Sequence, residues 1–248
     1  MVDITQLESS ENYAPQPNDL FNNQWKLYQK VLSNNYIKHR EFYGILHEFL
    51  VSYFQNPFSL LDLGCGDASY TAQALLNTTI ASYKGIDLSE PALKIARDNM
   101  ELIGCDKLFI QGDFLELVIE LVKERKDSFN VILASFALHH LTLEQKDYII
   151  GQFIHLLKAN GVFLLIDTVR REGEQREAYI KRYLDGVYKD WSLLTPPEVF
   201  AVADHISSSD FPETQETLDL IAQKHGFIRS ETLYSDPLDT AKLLCFYA

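Results

Sequence analysis

Residues 60–69 read Leu60-Leu61-Asp62-Leu63-Gly64-Cys65-Gly66-Asp67-Ala68-Ser69, an apolar run that enters a glycine turn between two acidic side chains. The run predicts a short buried strand, and the residues after the turn predict the start of a helix. A glycine turn that binds pyrophosphate attracts negative charge with backbone N–H groups and a helix N-terminus. Asp62 and Asp67 would repel a phosphate, so the turn favours a cationic ligand.

The composition bounds the class of protein. At 248 residues the chain is long enough for one α/β core. A net charge of −13, with no basic run beyond Arg170-Arg171, disfavours a nucleic-acid partner. The three cysteines form no CxxC pair, which predicts a reducing compartment. No apolar run approaches the roughly 18 residues of a membrane span, and the N-terminus carries no signal pattern, so we expect a cytoplasmic protein without a membrane partner.

The chain alternates between apolar runs and helical patterns after residue 57. Single helices between strands predict a parallel sheet with right-handed crossovers, covered on both faces. We therefore expect an α/β fold with a doubly wound, seven-stranded, mostly parallel sheet and a helical cap. The predicted strands are Phe58–Leu63, Tyr83–Asp87, Lys107–Gln111, Phe129–Ala134 and Val162–Asp167, followed by an antiparallel hairpin of Phe227–Leu233 and Lys242–Tyr247.

The helical segments suggest the domain organisation. Residues 1–56 are predicted to form an arm and cap helices, and residues 57–248 the core, within a single domain overall. The long stretch 168–225 is predicted to be a helical insertion into that core. The predicted helices are Trp25–Phe54 with a possible break at Ser33-Asn34-Asn35, Ala68–Leu76, a helix from the cap Ser89 to Ile103, Phe114–Lys123, Leu143–Lys158 with Asn160-Gly161 as its C-cap, a helix that begins at Thr195 with Glu198 in a capping box, and Glu213–Lys224.

Acidic residues follow several predicted strands at the point where each strand ends. Asp62 lies at the end of the first strand, Asp87 at the second, Asp113 after the third and Asp167 at the fifth. Ligands of open parallel sheets bind beyond these carboxyl ends, and carboxylates that converge there need neutralisation or hydrogen-bond donors. S-adenosylmethionine supplies hydroxyls, an amine and a sulfonium, and it has no phosphate. The pattern points to that cofactor.

The stretch from Phe58 to Asp167, with the terminal hairpin, resembles the class I S-adenosylmethionine-dependent methyltransferases of the small-molecule type. The glycine motif matches 61–67, with Ala68 in place of the usual third glycine. By this resemblance, Asp62, Gly64, Cys65 and Gly66 contact the methionine end of the cofactor, Asp87 and Leu88 the ribose, and Gly112, Asp113 and Phe114 the adenine. Ser135 and Phe136 follow the fourth strand, where the resemblance places further cofactor contacts and the methyl-transfer site.

The side chains around the acceptor are predicted from the same region and from the cap. His139 and His140 are candidate catalytic bases, because histidine titrates near neutral pH, although such a pair can also simply shape a pocket wall. Candidate substrate-binding residues are Tyr36, His39, Tyr179, Tyr183 and Trp191. No Asp or Glu occurs from Val131 to Leu143, so no metal site is predicted.

The sequence therefore predicts methyl transfer from S-adenosylmethionine to a small molecule, at oxygen or nitrogen. One alternative is an NAD-dependent oxidoreductase, which is disfavoured because Ser69 occupies the third glycine position of its fingerprint. A second is a non-catalytic protein that binds S-adenosylmethionine, and a third is transfer of another group from the same sulfonium. The acceptor, its reacting atom and the oligomeric state are left open.

Overall fold

The computed structural model describes residues 26–124 and 128–248, and the chain divides into two units, residues 1–37 and 38–248. In the smaller unit, helix α1 covers residues 26–33 and a turn at 34–37 contains Tyr36. The predicted arm and Trp25 lie outside the described residues. The predicted boundary between residues 56 and 57 remains a prediction.

A central sheet forms the larger unit, in the order β3-β2-β1-β4-β5-β8-β7, with β6 beside β5. The strands are β1 Phe58–Leu63, β2 Ile80–Asp87, β3 Asp106–Gln111, β4 Phe129–Ser135, β5 Leu157–Arg170, β6 Glu213–Thr214, β7 Arg229–Ser235 and β8 Ala241–Tyr247. Strands β1 to β5 are parallel, and β8 runs antiparallel to both of its neighbours. The strand order reverses between β1 and β4. The predicted doubly wound, mostly parallel sheet is confirmed.

Helices cover both faces of this sheet. They are α2 His39–Tyr53, α3 Ser69–Leu75, α4 Glu90–Asn99, α5 Phe114–Glu124, α6 Leu143–Leu156, α7 Arg176–Asp190, α8 Pro196–Ser209 and α9 Gln215–Lys224, with a short 3-10 helix at Leu138–His140. The predicted N-terminal caps at Ser89 and Thr195 are present. The Ser89 side chain accepts the Ala92 N–H, and the Glu198 carboxylate accepts the N–H of Thr195 at 2.7 Å. Helix α4 ends at Asn99, short of the predicted Ile103, because the chain turns there toward β3.

Alternate strand residues supply two separate cores. Leu60, Val131 and Leu164 pack with helices α2, α3 and α4 on one face of the sheet. Leu61 and Ile132 pack with helices α5, α6 and α9 on the other. Because successive side chains of a strand point to opposite faces, the continuous apolar runs of these strands serve both cores.

The junction of α6 and β5 differs from the prediction. Helix α6 ends at Leu156, and the next residue, Leu157, already pairs with Phe129 of β4. Pairing with β4 resumes only at Val162, so residues 158–161 form a bulge within β5. Asn160-Gly161 lies in this bulge and does not cap the helix. Gly161 is required there because a Cβ would lie 2.8 Å from the Lys158 carbonyl oxygen.

The insertion is also more ordered than predicted. It contains α7, which the sequence analysis missed, in addition to α8. Its return begins with β6, since Glu213 and Thr214 pair with Val169 and Arg170 of β5, and α9 starts only after that pairing. Tyrosines and charged residues interrupt the apolar periodicity of α7, which explains the missed helix.

A buried ionic group secures this return. Lys146 of α6 is 2% exposed and donates to the Glu213 carboxylate at 3.0 Å and to the Phe211 carbonyl. Arg170 reaches the other Glu213 oxygen at 3.3 Å. Buried charges require such pairing.

Among the described helices, none has the length and apolarity needed to cross a bilayer.

Candidate functional site

The glycine turn after β1 is bonded to the end of the neighbouring strand β2. The backbone N–H groups of Gly64 and Cys65 both donate to the Ile86 carbonyl, at 2.8 and 3.0 Å. Gly64 and Gly66 adopt φ values of +68° and +54°, where glycine has no steric penalty. Ala68, in the third glycine position, also lies at φ +50° and precedes α3. The predicted strand, turn and helix start are thus present.

Asp87 links this turn to the beginning of α4. One carboxylate oxygen accepts the Gly66 N–H at 2.8 Å, and the other accepts the Ser89 N–H at 2.8 Å. A carboxylate offers about four lone-pair directions, so each oxygen retains capacity for a further donor. Burial raises the pKa of Asp87, while its two backbone donors oppose that rise.

The segment after β3 lies beside Asp87. Gly112 donates its N–H to the Asp87 backbone carbonyl at 3.0 Å. One oxygen of Asp113 accepts the Leu115 N–H at 2.8 Å, and α5 begins at Phe114. Leu88, between Asp87 and α4, is 69% exposed. The structure therefore brings the residues predicted for ribose and adenine together at one edge of the sheet.

The end of β4 completes this edge. Ser135 directly follows Ala134, which pairs with Leu63 immediately before the glycine turn. Within the described chain its hydroxyl oxygen is buried without a hydrogen-bond partner. Phe136, the next residue, is held at φ +49° while its N–H donates to the Ile166 carbonyl at 2.7 Å. A bulky side chain in this conformation is strained, and such strain concentrates at functional sites.

Aromatic side chains surround Phe136. The ring centroid of His39 lies 5.0 Å from that of Phe136 and 5.0 Å from that of Tyr70, and Tyr43 stacks on the same imidazole at 6.0 Å. We call His39, Tyr43, Tyr70 and Phe136 the aromatic cluster. His39 is buried, and burial lowers its pKa to about 3, so the imidazole is neutral at physiological pH.

Comparison with known proteins gives the family. The family model that describes a methyltransferase domain matches residues 56–225, more than half of the chain. The chain belongs to the class I S-adenosylmethionine-dependent methyltransferase family. This confirms the resemblance drawn from the sequence motifs.

Individual relatives share little more than a quarter of their aligned residues with this chain. An uncharacterized methyltransferase from Bacillus velezensis is 27% identical over 180 residues, which cover 72% of this chain and 73% of that protein. Another, from Anoxybacillus flavithermus, is 28% identical over 122 residues. That match covers 49% of this chain and 52% of the relative, so the chain spans about half the length of that protein.

Solved structures share the fold at low sequence identity. An O-methyltransferase family protein from Burkholderia thailandensis has a TM-score of 0.59 and 16% identity, over 86% of this chain and 57% of its own. A cyclopropane synthase from Mycobacterium tuberculosis has a TM-score of 0.54 and 15% identity, over 85% of this chain and 82% of its own. The two differ in their named reactions, so this likeness concerns the methyltransferase fold.

The sequence predicts that Asp62 is an exposed negative charge beside the glycine turn, but the structure buries its side chain. Its side chain is 1% exposed and accepts hydrogen bonds from Thr71 at 3.0 Å and Tyr83 at 2.9 Å. Burial raises its pKa to about 7, despite those two donors. The carboxylate therefore joins β1, β2 and α3 inside the protein and does not act as an exposed anion. Any contact with the cofactor remains a prediction.

Asp167 of β5 fixes the imidazole of His139, which lies in the short 3-10 helix after β4. The imidazole Nδ1 lies 2.5 Å from one Asp167 oxygen, and the His139 backbone N–H donates to the other at 2.9 Å. Burial opposes protonation of this ring, but the carboxylates of Asp167 and Asp210 together outweigh it, and the pKa of His139 is raised. The pairing orients Nε2 away from Asp167 and toward Asp210, at 3.7 Å.

His140 and the insertion residue Asp210 meet on the same side. Nδ1 of His140 lies 3.6 Å from the Asp210 Oδ1 and 3.3 Å from the Ser209 carbonyl oxygen. Burial, followed by the charge of His139, lowers the pKa of His140 to about 4. Sequence reasoning missed Asp210, since only the return of the insertion brings it to β4. Its single local signal is its position directly after the serines at the end of α8.

Three of the other predicted substrate residues lie in the insertion. Tyr179 and Tyr183 of α7 stack at 5.9 Å, and Trp191 follows at 6.4 Å from Tyr183. The Tyr179 hydroxyl donates to the Thr240 carbonyl at 2.9 Å, which marks it as a packing residue of the insertion. Tyr36 lies in the smaller unit. Their predicted roles in substrate binding remain predictions.

The two turn glycines predict different outcomes when substituted. Both Gly64→Ala and Gly66→Ala incur the cost of a side chain at positive φ, about 1–2 kcal/mol. An added Cβ at Gly64 meets Ala137 at 2.9 Å, whereas one at Gly66 meets no atom of the described residues within 4 Å. We expect urea denaturation to show a larger loss of unfolding free energy for Gly64→Ala, by about another 1–3 kcal/mol. Equal losses would contradict the steric account.

The buried Asp62 carboxyl predicts a pH effect on stability. Its pKa is about 7 in the folded protein and 3.8 in a model chain. Folding therefore favours its protonated form, and the resulting stabilisation, present below pH 4, is lost as pH rises through 7. Asp62→Asn cannot ionise and can still accept from Thr71 and Tyr83. Between pH 4.5 and 8, denaturation should show wild type losing up to about 3 kcal/mol relative to this variant.

The control for this comparison is Asp98→Asn, which removes one carboxylate from the exposed surface of α4. A pH-dependent difference of the same size in both variants would mean that overall charge, and not the burial of Asp62, causes it.

Proposed function

We propose that this protein transfers a methyl group from S-adenosylmethionine to an apolar small molecule, at an oxygen or a nitrogen atom. The observation that carries the proposal is the position of Asp87. Its carboxylate joins the glycine turn to α4 through two backbone N–H bonds and keeps lone pairs for further donors. Ribose hydroxyls are the donors that this arrangement suits.

The remaining contacts of the cofactor fit the same edge of the sheet. Beside Gly66, an added Cβ would meet no atom within 4 Å among residues 26–124 and 128–248. The buried Ser135 hydroxyl has no hydrogen-bond partner among the described residues, and a bound polar group would satisfy it. We assign Gly64, Cys65 and Gly66 to the methionine end, Asp87 and Leu88 to the ribose, and Gly112, Asp113 and Phe114 to the adenine.

The aromatic cluster is assigned to the acceptor. It adjoins the end of β4 through Phe136, next to the proposed cofactor contact Ser135. Three aromatic rings and a neutral imidazole favour an apolar acceptor over a charged one. His39 supports this class, because a pKa of about 3 makes it a weak base but leaves a neutral group that can exchange hydrogen bonds. We therefore assign it to binding and orientation of the acceptor.

The chemistry requires alignment more than activation. The sulfonium supplies a methyl group with a good leaving group, so the acceptor atom needs a position in line with it and protection from water. The aromatic cluster provides a surface for both. An acceptor hydroxyl or amine also loses a proton. The general-base role of His139 and His140 remains a prediction, since the ring nitrogens of both face Asp167, Ser209 and Asp210.

Cofactor choice is tested by calorimetric titration of the full chain with S-adenosylhomocysteine and, separately, with NADH. We expect the nucleoside product to bind and NADH to give no heat of binding. Asp87→Ala should weaken S-adenosylhomocysteine by about 1–3 kcal/mol, because the ribose donors lose their partner. Saturable NADH binding would favour the oxidoreductase alternative.

A matched control is Glu90→Gln, which removes a negative charge from the start of α4 near the same edge. Glu90 is paired with Arg97 at 3.0 Å and has no proposed contact with the ligand. An equal loss of affinity in Glu90→Gln and Asp87→Ala would show that general charge, and not a hydrogen bond of Asp87, governs binding.

Acceptor class is tested with methyl-labelled S-adenosylmethionine and separated small-molecule, protein and RNA fractions of a cell extract. We expect label in the small-molecule fraction, and product mass should increase by one methylene unit. His39→Leu keeps an apolar side chain but removes the imidazole, so it should raise the KM for the acceptor while S-adenosylhomocysteine affinity stays unchanged. Cofactor binding without label in any fraction would favour the non-catalytic alternative, and a different added mass would favour another transferred group.

A further inference from the structure

Three imidazoles converge on one carboxylate oxygen at the junction of the insertion and the core. The Oδ1 atom of Asp210 lies 3.7 Å from Nε2 of His139, 3.6 Å from Nδ1 of His140 and 3.8 Å from Nε2 of His205. His139 and His140 follow β4, whereas His205 and Asp210 belong to α8 and the residue after it. We call these four side chains the His–Asp cluster.

Asp210 needs a positive partner that the described residues do not supply by hydrogen bonding. Its side chain is 6% exposed. Its Oδ1 atom is buried and has no hydrogen-bond partner in the described part of the chain. The three ring nitrogens lie beyond hydrogen-bonding distance. A buried and unsatisfied carboxylate oxygen is costly, so a cation bound between the oxygen and the rings would stabilise this arrangement.

We propose that the His–Asp cluster binds a divalent transition-metal ion of the zinc class. One ligand atom each from His139, His140 and Asp210 lie within 4.8 Å of one another. In a tetrahedral zinc site with bonds of about 2.0–2.1 Å, ligand atoms lie about 3.3–3.4 Å apart. The observed separations from Asp210 are a few tenths of an ångström wider. The side chains of His140 and His205 are 41% and 54% exposed, and His205, which lies outside the set of mutually close atoms, would move inward to become the fourth ligand.

The surrounding residues prepare the two most buried ligands. Asp167 accepts from Nδ1 of His139, which leaves Nε2 as the ligand atom and raises its basicity. Arg176 donates to the backbone carbonyls of Ser207 and Asp210, both at 2.7 Å, and so fixes the segment that carries Asp210. Imidazole nitrogens with one carboxylate form a donor set that suits Zn²⁺.

Competing contacts are compatible with metal binding. Without metal, Nδ1 of His140 can donate to the Ser209 carbonyl at 3.3 Å. Binding through Nδ1 moves the ring proton to Nε2, which solvent can reach because this side chain is 41% exposed. The nearby Lys146 is compensated by Glu213 at 3.0 Å, and the positive charge of Arg176 acts on the Asp210 carboxylate.

The metal would join the insertion to the core. Its ligands come from two segments about 65 residues apart in sequence, so binding closes a long loop and stabilises the folded form over the unfolded chain. This inference departs from the sequence-based prediction of no metal site. The carboxylate that the strand-four exit lacks in sequence is supplied by Asp210. It concerns residues outside the proposed cofactor contacts and stands independently of methyl transfer.

The test is calorimetric titration of the full chain with ZnCl₂ after removal of metals with EDTA, without any nucleoside present. We expect one ion per chain. His140→Gln, His205→Gln and Asp210→Asn should each weaken Zn²⁺ binding at least about tenfold. The matched control is His225→Gln, because His225 also contacts a carboxylate, Asp147 at 3.0 Å, but lies outside the cluster. The His225→Gln variant should bind Zn²⁺ with the same affinity as the wild type.

Two further measurements keep the test decisive if Asp210→Asn fails to fold. His205→Gln replaces a side chain that is 54% exposed, so it should retain the fold. Zn²⁺ should raise the melting temperature of the wild type more than that of His205→Gln. Co²⁺ should give the intense visible absorption of a four-coordinate site in the wild type. Equal Zn²⁺ affinity in wild type, His140→Gln and His205→Gln, or a Co²⁺ spectrum like that of the aqueous ion, would overturn the proposal.

Discussion

The hydrogen bond from the Gly66 N–H to the Asp87 carboxylate is the constraint on which the arrangement of the β1, β2 and β3 ends depends. It fixes the turn after β1 against the end of β2, while the other oxygen of the same carboxylate fixes the start of α4. The backbone carbonyl of Asp87 also receives Gly112, so the segment after β3 is aligned from the same residue. Three successive strand ends are thus held in register by one aspartate. A ligand that meets this edge encounters an ordered set of groups and loses little further free energy in arranging them.

The acidic residues around the glycine turn are less exposed and less charged in the structure than the sequence suggests. Asp62 and Asp67 flank the turn, but Asp62 is buried against Thr71 and Tyr83, and Asp67 accepts the N–H of Ser69. Burial raises the pKa of both Asp62 and Asp87, which weakens the picture of a ring of full negative charges. What favours an adenosyl cofactor is therefore the placement of hydrogen-bond acceptors more than the total charge. Asp87 contributes this directly, and Asp62 contributes it by holding β1, β2 and α3 together.

Local patterns predicted the parts of the fold that local physics determines. The apolar runs of β1 and β4, the cap at Ser89 and the capping box of Thr195 were readable because propensity and packing agree there. The end of α6 was predicted incorrectly, because pairing of Leu157 with β4 overrides a glycine signal that is typical of helix ends. Asp210 could not be placed, since its position beside His139 arises from the return of the insertion. The strained backbone of Phe136 likewise follows from its bond to Ile166, which no residue pattern in the sequence records.

The pairing of β6 with β5 has a consequence for how this chain can diverge. The insertion begins after Val169 and Arg170 of β5, and it ends at Glu213 and Thr214 of β6, which pair with those two residues. Lys146 donates to the Glu213 carboxylate and so holds β6 in place. The two ends of the insertion are therefore adjacent in the sheet, whatever residues lie between them. Replacing that excursion with one of another length changes the entropy of loop closure only slowly. Such a fold can exchange the whole segment between β5 and β6, and with it the half of the His–Asp cluster that His205 and Asp210 supply, while the strand ends joined by Asp87 stay as they are.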